Sequence, residues 1–307
     1  MPSDNKTRTT IDVGGHILKI SNLDKVFYPA TGFTKGQMLD YYIRIAPVLL
    51  PHLRNRPLTV KRYPNGAEGK FFYQKECPVH HPDWVKTIPV WSGSNNRNIN
   101  FCNASDLPTL VWAANLAALE LHTSLSVAPA VHQPAFLVFD LDPGPPATIV
   151  DCAQVGLLLK EYFDRHELQS FPKTSGSKGL QIYIPLNTTV SYENTKHFAR
   201  VLAGRLQAKY PDRIVANMKK SLRGGKVFID WSQNDEHKTT VCVYSLRAKE
   251  HPTVSTPTTW EEIVNLIDQK KPELLSFTAD QVLQRTAKLG DLFAPVLQLK
   301  QKLPAIE

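Results

Sequence analysis

Cysteine is scarce in this chain, and no two cysteines lie close together. Four occur among 307 residues, Cys77, Cys102, Cys152 and Cys242, without a CxxC pair. That scatter argues against a disulfide scaffold and reads as reduced thiols in a cytoplasm. One zinc set can be drawn from Cys77, His80, His81 and Cys102, yet half of the usual close ligand pairing is missing. No run approaches the ~18 apolar residues of a membrane helix. The polar start MPSDNKTRTT lacks the apolar core of a signal peptide, so a cytoplasmic protein away from any membrane is expected. Internal repeats, low-complexity linkers and a P-loop (GxxxxGK followed by Ser or Thr) are also missing. Acidic residues are in deficit, with 28 Asp and Glu against 36 Lys and Arg, a formal net charge of +8. Such a balance suits a polyanionic partner, and equally suits plain solubility.

Strand-like and helix-like patterning are both present. Residues 9–20 alternate around Gly14-Gly15 and predict a hairpin. From Thr34, TKGQMLDYYIRIA predicts a capped helix with Met38, Tyr41, Tyr42 and Ile45 on its apolar side, ended by Pro47. Short strands are predicted near 58–62, 71–73, 85–90 and 98–102, then a helix from about Leu107 to Leu121, capped by Ser105 or Asp106. The second half continues with strand 135–140, helix 148–165, strand 180–185, helix 192–209, strands 226–230 and 239–244, and helices 259–269 and 279–289. An α/β (α+β) fold of mixed sheets flanked by helices follows. The stretch 129–135, PAVHQPA, is the candidate seam between an N-terminal module, 1–130, and a second module, 131–307.

Residues 136–144, FLVFDLDPG, run apolar residues into two acids. Residues i and i+2 of a strand share a face, with α-carbons ~6.5 Å apart, so Asp140 and Asp142 project together. A divalent cation between them would relieve their repulsion. The plainer alternative has Asp142 capping a turn and Asp140 in a salt bridge. KVFIDWSQND, residues 226–235, supplies a third acid, Asp230, at the end of another apolar run. Three such carboxylates can hold two cations ~3.5–4 Å apart, an arrangement that activates an attacking oxygen and steadies a leaving pyrophosphate. Between these acids lies KTSGSKGLQIYIPL, residues 173–186. Gly176 and Gly179 permit a tight turn with backbone N–H groups against an anion, Ser175 and Ser177 add hydroxyls, and Lys178 adds charge. A plain hairpin would read the same way. Arg247 is either a further phosphate ligand or a surface arginine.

These pieces together resemble the polymerase domain of bacterial ligase D, the end-joining member of the archaeo-eukaryotic primase superfamily. The resemblance rests on SNLDKVFYP, GFTKGQMLDYY, RNRPLTVKRYPNG, FFYQK, ALELHTS, FDLDP, KTSGSKGL, GKVFIDWSQND, KTTVCVYSLRA and VSTPTTWEEI, in that order and across nearly the whole chain. It implies a single primase-polymerase domain with an RRM-like catalytic core, the first module contacting DNA and the second holding metal and nucleotide. It further implies that Asp140, Asp142 and Asp230 bind catalytic divalent ions, manganese or magnesium. Ser175 and Lys178 would hold the incoming triphosphate, with Lys61, Gln181, Gln233 and Arg247 lining the same pocket. His122 would favour ribonucleotides through the 2′-hydroxyl, although by itself it reads as a histidine satisfying a helix end. Asn22, Lys25 and Lys35 match a pocket for the 5′-phosphate of a downstream strand. Phe71 and Phe72 match aromatics that stack on template bases, although by themselves both read as core. Arg223 falls in a loop used near the primer end.

One position departs from the pattern. Where the family shows histidine after KGL, this chain has Gln181. An amide can donate to a phosphate oxygen but cannot become cationic. Either the polymerase is weakened or retuned, or Lys178 and Arg247 supply the charge; the second is the expectation, because the other matched site residues are retained. The implied function is template-dependent nucleotidyl transfer, extending primers, with a preference for ribonucleotides, to fill gaps at double-strand breaks during non-homologous end joining; NTPs and dNTPs are the implied substrates. Ku and a separate ligase are the implied partners, in a nucleoid-associated setting. Three rivals stand beside it: an end-binding scaffold with feeble chemistry, a primase that starts strands de novo, and a haloacid-dehalogenase-type phosphatase. The last requires Thr or Val where Gly144 stands, and a GDxxxD that GDLFAP does not supply.

Overall fold

The computed structural model describes residues 8–306. The first seven residues, on which part of the leader expectation rested, lie outside the described residues. The N-terminal half runs β1 (Arg8–Val13), β2 (His16–Ser21), β3 (Val26–Tyr28), β4 (Phe33–Thr34), α1 (Lys35–Leu53), β5 (Leu58–Arg62), β6 (Phe72–Gln74), β7 (Thr87–Ser92), β8 (Arg97–Cys102), α2 (Leu107–Asn115) and β9 (Ala118–Thr123). There follow β10 (Phe136–Pro143), α3 (Ile149–Arg165), β11 (Phe171–Thr174), β12 (Leu180–Pro185), α4 (Tyr192–Lys209), β13 (Ile214–Val215), β14 (Val227–Asp230), β15 (Thr240–Val241), α5 (Trp260–Gln269), α6 (Ala279–Leu289) and α7 (Pro295–Gln298).

Two large sheets carry the architecture. One has the order β11-β12-β10-β14-β13, antiparallel except for the β13–β14 pair. The other has the order β15-β9-β5-β8-β7, with β6 also paired to β5. The expected mixed sheets flanked by helices are therefore present. Helices α3 and α4 cover one face of the first sheet, where Leu137, Phe139, Leu141, Leu180, Ile182, Ile184, Val227 and Ile229 join Leu159, Phe163 and Phe198 in one core. A second core gathers α1, α2 and the β5–β9 sheet, and residues 242–296 return to it through Tyr244, Leu246, Val282 and Phe293.

Local chemistry explains several boundaries. Helix α1 starts in a capping box: Gln37 N donates to Thr34 Oγ1 at 3.2 Å, and Thr34 N donates to Gln37 Oε1 at 2.8 Å. It does not stop at Pro47, contrary to expectation, but runs through Pro47 and Pro51 to Leu53. Pro47 is exposed, and the carbonyl it leaves unpaired belongs to exposed Ile43, within reach of water; buried Leu49, His52 and Leu53 hold the last turns. The helix expected over 107–121 is also shorter. It ends at Asn115, Ala117 takes a left-handed φ of 64°, and 118–123 pair with β5 as a strand. The strand expected over 239–244 pairs at Thr240 and Val241 alone.

The cysteine expectation divides. Cys152 and Cys242 are buried free thiols, but Cys77 and Cys102 form a disulfide, with α-carbons 4.9 Å apart. Cys77 N donates to Asn100 O, and Glu76 bridges to Phe101, so the backbone itself brings the two cysteines together. That pairing consumes both sulfurs of the conceivable zinc set. No helix among the described residues is long and apolar enough to cross a membrane.

Candidate active site

Alternation along β10 explains why two acids end an apolar strand. Phe136 and Val138 pack on the side away from α3, and Asp140 and Asp142 continue that row past the edge of the core. Both acids open into a cleft of about 600 Å³ between the two large sheets. Thr59, Tyr73 and His122 line it from one sheet, and Asp140, Asp142 and Gln181 from the other.

Strand register sets four polar side chains in one line across the first sheet. Lys173 stands opposite Gln181, Gln181 opposite Asp140, and Asp140 opposite Asp230. Burial raises the Asp140 carboxyl to about 7, aided by the charges of Asp142 and Asp230 and opposed by a Gln181 hydrogen bond and the Lys173 charge. Asp142 is raised as well, by burial and then by Asp230, with Arg223 and Arg247 pulling it down. Neighbouring carboxylates pushed toward their neutral forms are the condition that a cation relieves, and their oxygens suit magnesium or manganese. Asp230 spends both oxygens locally: Oδ1 accepts from Ser232 N at 3.0 Å and Ser232 Oγ at 2.6 Å, and Oδ2 accepts from Gln233 Nε2 at 2.9 Å. Among the described residues, no three His, Cys, Asp or Glu side chains converge as a ready metal cage.

The Ser175–Gly179 turn forms one wall. Ser175 Oγ accepts from Ser177 N at 3.2 Å and Gly179 N at 3.1 Å, which curls the backbone into a concave turn. Gly176 has φ +65°, and a β-carbon there would meet the Ser255 nitrogen at 2.6 Å; one on Gly179 would meet the Leu141 oxygen at 2.3 Å. Only glycine fits these approaches of the turn, at 176 to the Val254–Ser255 backbone and at 179 to β10. Ser175, Ser177 and Lys178 all line the cleft. Arg247 lines it too and is no surface arginine: it donates to the Ser175 carbonyl, and Nε lies 3.4 Å from Glu120 Oε1.

Glu120 went unread as a site residue in the sequence, and it organises this corner. It is 2% exposed, accepts from Ala248 N at 2.9 Å, and lies 3.0 Å from His122 Nε2. Its carboxyl is held down at about 2: burial opposes ionisation, but His122, Arg247 and the Ala248 amide outweigh it. His122 sits on β9 rather than at a helix end, and burial lowers its pKa although Glu120 raises it. With Nε2 spent on a carboxylate, Nδ1 is the nitrogen left for a ligand. Gln233 and Arg223 also line the cleft; the Arg223 guanidinium lies 3.6 Å from the Phe228 ring centroid. Lys61 is not part of the lining. Its Nζ lies 3.8 Å from the Phe71 ring centroid, 5.1 Å from Tyr63 and 5.6 Å from Tyr73, an aromatic cage at the rim.

The expected DNA-contact residues also gather. Lys25 N donates to Asn22 O at 3.1 Å and Lys35 N to Lys25 O at 2.8 Å, which brings the Asn22–Lys25 turn against the start of α1 at Lys35. Lys35 is buried, with Nζ donating to Ser21 O and Asn115 Oδ1, both at 2.7 Å. Burial, and then the charge of Lys25, lowers it to about 8, so an anion here would favour its charged form. Phe71 and Phe72 are 50% and 46% exposed, against their reading as core.

Other site residues went unread because each is a single polar residue without periodic meaning. Tyr73, Lys75 and Lys238 line the cleft, although Tyr73 and Lys75 lie within the FFYQK segment and Lys238 opens KTTVCVYSLRA. Asn234 is fully buried: Nδ2 donates to Val138 O at 2.7 Å, and Oδ1 accepts from Val138 N at 2.9 Å. It pins the turn after Asp230 onto β10 as a neighbouring strand would.

Comparison with known proteins agrees with the fold. A family model described as LigD, primase-polymerase domain, matches residues 34–293. The multifunctional non-homologous end joining protein LigD of Mycolicibacterium smegmatis is 39% identical over 285 residues, 91% of this chain and 36% of that protein. The bifunctional non-homologous end joining protein LigD of Bacillus subtilis is 34% identical over 274 residues, 89% of this chain and 43% of that protein. The chain thus spans well under half of these curated relatives. A solved structure, the polymerase domain from Mycobacterium tuberculosis ligase D in complex with DNA, superposes with a TM-score of 0.84 at 38% identity, covering 91% of this chain and 98% of that one. The chain belongs to the LigD primase-polymerase domain family.

Proposed function

We propose that this chain is a template-directed nucleotidyltransferase of non-homologous end joining, extending primers across short gaps at broken DNA ends with a preference for ribonucleotides. The observation that carries the reading is twofold: the register of β10 and β14 sets Asp140 opposite Asp230, and Asp140 and Asp142 line one cleft with Ser175, Ser177 and Lys178. When bound, divalent cations (Mn2+ or Mg2+) lower the pKa of the primer 3′-hydroxyl and neutralise the leaving pyrophosphate. Asp140, Asp142 and Asp230 would hold them. The Ser175–Lys178 turn and Arg247 bind the triphosphate and offset charge that develops on it. His122 presents Nδ1 to the 2′-hydroxyl, while Lys61 and Gln233 flank the nucleotide. Asn22, Lys25 and Lys35 take the 5′-phosphate of the downstream strand, Phe71 and Phe72 stack on template bases, and Arg223 meets the primer end. Residues 1–130 thereby supply most DNA contacts and 131–307 the chemistry. DNA with gaps or double-strand-break ends and nucleoside triphosphates are the substrates, Ku and a ligase the partners, in a cytoplasmic, nucleoid-associated setting.

The test is extension of a gapped, primed duplex with manganese and ribonucleotides, beside an Asp140→Ala control. Extension by the wild type that the substitution abolishes supports the enzyme. End binding with no extension overturns it in favour of a scaffold, and strands started on unprimed template would make it a primase.

A further inference from the structure

Lys173 is fully buried in β11 directly behind Gln181, and sequence reasoning gave it no part. Its Nζ donates to Gln181 Oε1 at 2.5 Å, Ser255 Oγ at 2.8 Å and Val241 O at 3.0 Å. Ser255 Oγ gives its own proton to Thr174 O at 2.8 Å, so toward the lysine it can only accept. Three acceptors match the three N–H groups of an ammonium, and none is left over for a ligand. Burial pulls Lys173 down to about 7, Cys242 and Asp140 pull it back up, and Arg247 pulls it down again; the three acceptors around Nζ favour the protonated form.

This shell fixes the glutamine. A free amide can present either end to a neighbour. Here Oε1 faces Lys173 on the β11 side, which leaves Nε2 as the end available to Asp140, the directly opposite residue on β10, whose carboxyl the Gln181 side chain helps to hold down. A side chain that cannot ionise is thereby backed by a buried positive charge and polarised toward the cleft.

We propose that Lys173 is a positioning residue for the nucleotide site: by fixing and polarising the Gln181 amide, it makes position 181 a hydrogen-bond donor toward Asp140 and the incoming triphosphate. The inference rests on the functional reading above and deepens it. Lys173 itself touches neither substrate nor cation.

The experiment is a double-mutant cycle of Lys173→Met, Gln181→Leu and the double variant, with two readouts: kcat and KM for ATP in primer extension, and calorimetric binding of ATP with Mn2+ without primer. Lys173→Met is expected to lower kcat/KM about 10-fold and weaken ATP binding in the wild-type background, yet to add less than about 2-fold in the Gln181→Leu background. A purely structural role would give additive effects, and additivity overturns the proposal. Should Lys173→Met not fold, Gln181→Glu decides, because it keeps the acceptor for Lys173 and removes the donor toward Asp140. A loss of about 10-fold or more is expected, and activity equal to wild type overturns the proposal. An active wild type with an additive cycle refutes this inference alone, whereas a wild type that neither extends primers nor binds ATP refutes the functional reading with it.

Discussion

Asn234→Leu should loosen the turn that carries Asp230 and Gln233. The wild-type amide is fully buried and satisfies both the N–H and the carbonyl of Val138 in the middle of β10, and Nδ2 also meets Trp231 O at 3.0 Å. Leucine has nearly the same volume and no polar atoms, so it strands one buried donor and at least one buried acceptor. Each orphaned group costs roughly 1–3 kcal/mol, about 2–6 kcal/mol together. An unfolding entropy of ~2.1 cal/mol/K per residue over a chain of this length makes 1 kcal/mol about 1.5 °C, so Tm should fall by roughly 3–9 °C. Differential scanning calorimetry of wild type and variant measures this directly. Asn234→Asp should lose at least as much, because it turns an oxygen toward the Val138 carbonyl. A shift below about 1 °C for both variants would refute the view that this amide pins the turn to the sheet.

Further outcomes follow from the same geometry. Asp140 has its pKa raised to about 7 by burial and its acidic neighbours, so in metal-free protein the folded state binds a proton that the unfolded chain has already lost above its ordinary carboxylate range. The stability contributed by this group therefore falls as pH rises through that window, and Asp140→Asn should raise Tm more at pH about 7 than at pH about 4; equal gains at both would contradict it. Lys25→Ala should weaken binding to a gap with a 5′-phosphate about 10-fold, leave a 5′-hydroxyl gap nearly unaffected, and reduce the salt slope of log K by about 1, read by fluorescence anisotropy. Phe72→Ala should cost ~1–3 kcal/mol in binding a single-stranded template, about 5- to 150-fold, without lowering affinity for ATP. Glu120→Gln should narrow the ratio of kcat/KM for ribonucleotides over deoxyribonucleotides about 5-fold or more by freeing the His122 ring, and an unchanged ratio would show that Glu120 has no hold on sugar choice.

Much of the site was legible because a strand has a period of two. Apolar residues at 136–139 followed by Asp140 and Asp142 announce a strand whose one face leaves the core, and the structure shows that face opening into the cleft. The approach of Asp230 was carried by the resemblance, since strand pairing 90 residues apart leaves no local trace. The ALEL of residues 118–121 favours helix by composition, yet its pairing with β5 prevails, at the expense of a left-handed alanine at 117. Cys77 and Cys102 carry no spacing signal, and meet because β7, β8 and the residue 76–77 segment bring them together. Lys173, Glu120 and Asn234 act behind the residues that face the cleft, where one buried polar side chain does not register in any pattern.

The part played by Asp230 is the most direct test of the whole account, because its carboxylate is bound to Ser232 and Gln233 while its register sets it opposite Asp140. Single-nucleotide extension of a primed gap by wild type and Asp230→Asn, with Tm measured alongside, decides it. The account predicts a loss on the order of 1,000-fold in kcat with little change in Tm, and extension within about 3-fold of wild type would contradict it.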